Sequence, residues 1–544
     1  MKKILNKKYT ILLFVILYVF GLFFLKDVNS NFDENLEQTI LKRNLIEYGE
    51  LFKIDRVTNS FRQQGIVPIS TDSEKDHGIA AYYAFTPLLK LKAISPSYLS
   101  IGWHVYTYTI FFVGFILLYK LLNYLFKNKK VSTITSLLYF LSPRILVDSF
   151  NNNKDIVFMS LLIMMIYFAT KFIKERKWKD AAFFAFFAGF VCNVKILGIF
   201  FFGIFGLCYI FTLIYKKEIN KQNVLKGLFV AISGLLFFFI LTPAMWGSGI
   251  DIIGYFKYCL ENSTNFRGQI SVFFEGTWWG GNNDPIPWYY LPKLMLLTLP
   301  IITSVLFISG IVLFIKNTIT NIIKKNKMGL EYLIVIGALA CFAVPFFVCV
   351  FKHPNIYNGW RHFYFLYGLM FIVIGYAVSN LSKTKLKKVL IVTIGVTLIV
   401  NVFYLFKYGV KNTAYYNILM NRDNIQDRYE LDYYNTTSKD SINEFMANTD
   451  LKYNSNNKIY LYGNGFNQYS LTDVLVNNVE YNDKFEVVTK DELDELLEKG
   501  EPVYEKSILI YSELKGYKKE LVYSYKIFGS DISRFYLIEG VNNE

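Results

Sequence analysis

Uncharged runs long enough to cross a lipid bilayer recur along this 544-residue chain, and they constrain its fold more than any other feature. A helix needs about 20 apolar residues to traverse the hydrocarbon core. The bilayer offers backbone N–H and C=O groups no partners, so each run must satisfy its hydrogen bonds internally as a helix. The predicted class is mainly α, a polytopic transmembrane bundle. About eleven spans are expected, near residues 9–25, 101–126, 131–150, 156–170, 181–194, 196–215, 228–246, 289–315, 332–351, 363–378 and 389–406.

The loops between these runs fall into two alternating sets. One set is short and basic: Lys127, Lys129 and Lys130; Lys174, Arg176, Lys177 and Lys179; Lys216, Lys217, Lys221 and Lys226; Lys316, Lys324, Lys325 and Lys327; Lys383, Lys385, Lys387 and Lys388. Loops rich in Lys and Arg stay cytoplasmic. The N-terminus, which opens Met-Lys-Lys, belongs to the same set. A multi-pass protein of the plasma membrane is expected, with a cytoplasmic N-terminus and a C-terminal region outside the cytoplasm. The run from Tyr9 to Leu25 is followed by bulky residues with no small-x-small cleavage signal, so it reads as an uncleaved first span.

This placement also accounts for the formal net charge of +15. In a soluble protein that excess would point to nucleic acid. Here the cations mark membrane orientation, and no nucleic-acid partner is expected. The five cysteines lie mostly in apolar runs, where Cys behaves as a small hydrophobe. No Cys/His ligand spacing and no HExxH pair occurs, so neither a zinc site nor a disulfide framework is indicated.

The other loop set is longer and chemically richer. Domain boundaries follow: 1–407 as the transmembrane domain with outer loops 26–100 and 247–288, and 408–544 as a small soluble α/β domain outside the membrane. That last region alternates short strand-like stretches (458–462, 485–489, 507–511, 521–527, 535–538) with helical pieces such as 491–499. Function concentrates in loops held by a rigid scaffold, so the chemistry is expected on the outer face.

Five groups of residues there have types suited to chemistry. Asp33 and Glu34 follow the first span as adjacent carboxylates. One can deprotonate an acceptor hydroxyl while the other positions a partner; the alternative is a solvated acidic pair capping a helix over 34–47. Arg144, Asp148, Lys154 and Asp155 bracket the next outer turn. At that depth ionisable groups are costly and usually face a cavity. A cation there can hold phosphate and Asp155 a sugar hydroxyl or a metal, or the group caps the following helix. Lys195 either snorkels or binds phosphate; Arg361, in Asn358-Gly-Trp-Arg-His362, either forks onto phosphate oxygens or anchors the interface. Trp278, Trp279, Trp288, Tyr289 and Tyr290 form either an aromatic belt or a surface for a sugar or isoprenoid chain.

In order, Phe32-Asp-Glu34, Ser142-Pro-Arg144 with Asn153-Lys-Asp155, Asn193-Val-Lys195, Pro287-Trp-Tyr-Tyr290, Asn358-Gly-Trp-Arg-His362 and Tyr429-Glu-Leu-Asp-Tyr-Tyr434 resemble the GT-C superfamily of membrane glycosyltransferases. Within it, the bacterial branch of protein O-mannosyltransferases and lipid A aminoarabinose transferases is most similar. The resemblance covers most of residues 1–440. It implies a GT-C-like bundle, a sugar donor carried on polyprenyl phosphate, membrane lipid around it, and inverting transfer to an acceptor (protein, lipid or wall polymer) outside the cytoplasm. It implies Asp33 as base with Glu34 beside it, and Arg361, Lys195, Arg144 and His362 on the donor phosphate. Asp155, Lys154, Trp279, Trp288 and Tyr289 would contact substrate. A divalent cation held by Asp33, Glu34 and Asp155 is compatible with the residue types, although their spacing does not require one. Three other functions use similar parts: a transporter or flippase for lipid-linked saccharides, a polysaccharide polymerase or ligase, and a receptor.

Overall fold

The computed structural model describes residues 2–25, 28, 32–265, 270–420, 425–454, 456–478, 481, 483–507 and 514–541. The chain is mainly helical. Helix α1 (Lys2–Leu22) is followed by α2 (Phe32–Leu51), α3 (Asp55–Arg62), a short 3-10 stretch at Ala80–Ala93, and α4 (Pro96–Phe126). Then come α5 (Lys129–Phe140), α6 (Pro143–Asn151), α7 (Asp155–Glu175), α8 (Trp178–Val194), α9 (Gly198–Tyr215), α10 (Lys221–Leu241) and α11 (Ile252–Asn265). A two-stranded hairpin, β1 (Val272–Phe274) and β2 (Thr277–Trp279), precedes α12 (Tyr290–Thr298), α13 (Ile301–Ile323), α14 (Leu330–Lys352), α15 (Tyr364–Leu381) and α16 (Lys387–Tyr408).

Among the described residues, eight helices are long and apolar enough to cross a membrane, and the chain is a multi-pass membrane protein. The other three expected runs are also helical but shorter. The run 9–25 lies in α1, whose apolar part is Lys8–Leu22, and 181–194 lies in the 17-residue α8. The run 131–150 is divided into α5 and α6 at Ser142-Pro143. Proline has no N–H and disfavours helix in the residue before it. Pro300 divides 289–315 into α12 and α13 for the same reason.

The bundle is layered. In α15 and α7 the apolar windows are 89% and 83% buried; in α10 and α16 only 22%, so these two leave their apolar faces on the outside of the bundle. Close packing at the centre uses small residues, as is common between membrane helices. A Cβ on Gly310 of α13 would lie 2.7 Å from the carbonyl oxygen of Val373 on α15, so only glycine permits that approach.

The segment between α1 and α4 forms a helical layer across one end of the bundle. Tyr48 of α2 donates to the carbonyl of Ile240, and Tyr83 donates to that of Leu241 and to Asn44. Asn193, at the end of α8, accepts from the Ala80 N–H and donates to Leu241 O and Thr242 Oγ1. A Cβ on Gly78 would sit 1.7 Å from the Asn193 carbonyl oxygen. The segment is therefore pressed directly onto the bundle.

The C-terminal part is a small β-containing domain: α17 (Ser438–Asn448), β3 (Ile459–Tyr462), α18 (Phe466–Asn477), β4 (Phe485–Val488), α19 (Lys490–Glu498), β5 (Val503–Ser507), β6 (Tyr517–Ile527) and β7 (Ser530–Val541). The sheet order is β4-β3-β5-β7-β6, parallel through β5 and antiparallel beyond. The expected strand at 507–511 has only Ser507 among the described residues, and Ser507 is the last residue of the observed strand β5. Helix α19 starts from a capping box of Thr489 and Glu492. Residues 409–437 contain no span, yet Val410, Tyr416, Tyr429 and Leu431 are buried in the same hydrophobic core as the helices.

Candidate functional site

A cavity of about 1810 Å³ opens where the bundle, the α2 layer and the C-terminal part meet. It joins two surfaces of different character. One is apolar and comes from membrane-length helices: Ile199 and Phe200 of α9, Val344 and Val348 of α14, and Phe365 of α15. The other is charged and contains Asp33, Glu34, Glu37, Lys154, Asp155, Lys195, Arg361 and His362.

Asp33 stands in the first turn of α2, with its side chain one-third exposed. Its Oδ2 accepts from Arg361 Nη1 at 2.5 Å. The same Nη1 donates to the Tyr434 hydroxyl at 3.0 Å. The rings of Tyr357, Tyr433 and Tyr434 surround the guanidinium at 5.2–5.9 Å, within cation–π range. Arg361 Nε has no hydrogen-bond partner, so a buried donor remains for a ligand.

Beside this pair is a second one. Lys195 Nζ donates to Asp155 Oδ1 at 2.5 Å and to the His362 carbonyl at 3.1 Å. His362 Nδ1 lies 3.9 Å from the same Asp155 oxygen. Asn152 fixes this corner: its Oδ1 accepts from the N–H groups of Lys154 and Asp155 at the start of α7, and its Nδ2 donates to Asp155 Oδ2. The Asp155 carboxylate is thus ion-paired and held by Asn152, and it is Asn152 that receives the N–H groups at the start of α7.

Glu34 also borders the cavity but faces differently from Asp33. It is 2% exposed, accepts from Gln38 at 3.0 Å and Ser100 at 3.3 Å, and lies 3.3 Å from His104 Nε2. Asp33, Glu34 and Asp155 therefore face three different partners. Among the described residues, no group of three His, Cys, Asp or Glu side chains is arranged to hold a metal ion.

Seven of the expected site residues meet here: Asp33, Glu34, Lys154, Asp155, Lys195, Arg361 and His362. Four do not line the cavity. Arg144 is buried behind the Asn358-Gly359 turn, with its guanidinium over the Tyr416 ring at 5.2 Å. Its neighbour Asp148 accepts from the hydroxyls of Tyr364 and Tyr433. Trp279 donates to Phe274 O within the hairpin. Trp288 is exposed, and Tyr289 packs edge-on against it. Tyr289 faces the Lys293 ammonium of the Glu275–Lys293 ion pair instead. Glu37, Asp76, His77, Glu430, Asp432, Tyr433 and Tyr434 also line the cavity and were not expected as site residues. The last four belong to the Tyr429–Tyr434 motif that stood out in the sequence. Glu37 and the 76–77 pair carry no signal distinguishing them from ordinary surface charges.

Glu430 has an ionisation that can be measured. Its Oε1 accepts from the Phe273 N–H at 3.2 Å. Burial pushes its carboxyl up to about 7, opposed by the backbone N–H groups of Phe273, Gly359 and Asn358 and by the charge of Arg361. The folded state therefore holds this proton more tightly than the unfolded chain does. Stability contributed by the protonated form is present below about pH 4.5 and is lost as pH rises through about 7. Thermal unfolding in detergent should show this: the wild-type midpoint falls between about pH 5 and 8, and Glu430→Gln flattens that fall. Parallel profiles for the two proteins would contradict the assignment.

Residues 102–246 match the sequence profile of the family described as dolichyl-phosphate-mannose-protein mannosyltransferase. The chain resembles the GT-C membrane glycosyltransferases. The matched stretch runs from α4 to just past α10, just over a quarter of the chain. It carries Lys154, Asp155 and Lys195 and leaves Asp33 and Arg361 on either side of it. Among solved structures the chain is similar to ArnT from Cupriavidus metallidurans bound to undecaprenyl phosphate, with 10% identity over 97% of this chain and 98% of that one and a TM-score of 0.43. It is similar to the apo state of ArnT from the same organism at 10% identity, 98% of each chain and a TM-score of 0.44. No curated protein matches it in sequence.

Proposed function

We propose that this protein is a membrane glycosyltransferase that moves a sugar from a polyprenyl phosphate to an acceptor outside the cytoplasm, with inversion at the anomeric carbon. The observation that carries the reading is the cavity itself. A charged surface on which Arg361 and Lys195 stand among carboxylates is continuous with an apolar surface on membrane-length helices. A polyprenyl phosphate sugar has the same division: a chain that stays in lipid and a phosphate at the interface.

On this reading Arg361 and Lys195 bind the donor phosphate, with Lys154 and His362 adding to the positive field. Each main cation is paired with its own carboxylate, Asp33 or Asp155. A phosphate on Arg361 competes with Asp33 for the guanidinium and leaves Asp33 free to accept a proton. The acceptor oxygen then attacks the anomeric carbon opposite the phosphate. As that C–O bond forms, the bond to the phosphate oxygen breaks, its electron pair stays on the phosphate, and the acceptor proton passes to Asp33. The cations stabilise the charge that grows on the leaving group. The basic loops support a cytoplasmic N-terminus, which sets the cavity, and the domain proposed from residue 408 onward, on the opposite face.

Competition binding tests the donor class. Purified protein is given radiolabelled polyprenyl-phosphate glucose, with excess unlabelled polyprenyl phosphate or excess sugar nucleotide. Displacement by the lipid phosphate and not by the nucleotide is expected. Displacement by the nucleotide alone would contradict the reading.

A further inference from the structure

We propose that Glu37, with Asp76 and His77 beside it, forms a subsite for the hydroxyl or amino groups of the transferred sugar, and that it restricts the donor to neutral or amino sugars. The inference rests on the glycosyl-transfer reading above and adds a substrate class to it.

Glu37 follows Asp33 by four residues on α2, so the two carboxylates share a helix face. Its side chain is 5% exposed, yet it borders the cavity, and its Oε2 has no hydrogen-bond partner. A buried carboxylate oxygen without a donor is costly. A hydroxyl or ammonium group of a ligand in the cavity would supply one.

Two further groups face the same space. Asp76 Oδ2 accepts from Asn262 at 3.2 Å, whereas its buried Oδ1 has no partner. His77 Nδ1 lies 3.4 Å from Glu37 Oε1, while its Nε2 lies 3.6 Å from Glu74. The ring thus spans two carboxylates. The close approach of Gly78 to Asn193, two residues before Lys195, fixes this segment next to the proposed phosphate cations. A sugar whose phosphate sits on Lys195 and Arg361 therefore has the unpaired oxygens of Glu37 and Asp76 beside it. Hydroxyl and ammonium groups satisfy those oxygens. A uronic acid would place a third carboxylate against them, and like charges in a water-poor cavity repel strongly.

The experiment measures binding of three ligands to the full-length protein in detergent: bare polyprenyl phosphate, polyprenyl-phosphate glucose and polyprenyl-phosphate glucuronic acid. In the wild type, glucose should add at least about tenfold affinity over the bare lipid phosphate, and glucuronic acid should add none. Glu37→Gln and Asp76→Asn should each reduce the glucose increment while binding the bare lipid phosphate as the wild type does, which also reports that they are folded. Equal binding of the two sugars by the wild type would overturn the subsite without any variant. So would a glucose increment that survives in both variants. Failure of the wild type to bind bare polyprenyl phosphate is a separate outcome, which overturns the functional reading and the subsite with it.

Discussion

Asp33→Asn lowers the rate of sugar transfer by about 10²–10⁴, the range expected when a positioned general base is removed. The substitution preserves size and leaves an oxygen that can still accept from Arg361, which lies 2.5 Å away. Donor binding and the thermal midpoint should therefore stay near wild type while turnover collapses. Glu34→Gln is the informative contrast. Glu34 is buried against Ser100, His104 and Gln38, so its loss should act mainly on stability. Single-turnover measurements at saturating donor separate the two. If Asp33→Asn turned over within a few-fold of wild type, the base would be another residue.

Arg361→Ala has the second-largest expected effect, a loss of about 10²–10³ in kcat/KM from removing a preorganised donor to the leaving phosphate. It should also raise the Kd for bare polyprenyl phosphate. Arg361→Lys should recover only part of the loss. The planar guanidinium sits among the rings of Tyr357, Tyr433 and Tyr434, donates through Nη1 to Asp33 and Tyr434, and keeps Nε as a further donor, and an ammonium does not reproduce that flat, multi-donor group. Donor affinity unchanged in Arg361→Ala would place the phosphate elsewhere in the cavity.

The membrane helices were legible because the bilayer imposes a single solution on an uncharged run. Their interruptions at Pro143 and Pro300 were present in the sequence, but hydropathy averages over them. The main charged pairs of the site joined residues far apart in the chain: Asp33 with Arg361, and Asp155 with Lys195. Each stood out singly as an ionisable group next to an apolar run; their pairing is a property of the bundle. The aromatic cluster shows the opposite case. Trp279, Trp288 and Tyr289 have suitable chemistry for a sugar, but none lines the cavity: Trp279 is held in the β1–β2 hairpin, Trp288 is exposed, and Tyr289 faces the Lys293 ammonium. Glu37 was hidden because α2 is rich in charge throughout, and only the tertiary structure brings His77 to one of its oxygens and leaves the other unpaired. Residues 409–437 were grouped with the soluble region because they contain no span. Their tyrosines nevertheless pack into the helical core, and Tyr434 donates its position, and its hydroxyl oxygen as an acceptor, to the Arg361 site.

The most direct test of the central claim is transfer of label from a radiolabelled polyprenyl-phosphate sugar by the purified wild-type protein incubated with a cell-envelope extract. Label that moves to an extract component, with release of polyprenyl phosphate in equal amount, is the predicted result. A well-folded protein that binds the donor and releases no polyprenyl phosphate from any of several sugars would contradict the claim and leave lipid-linked saccharide movement, without bond breaking, as the function.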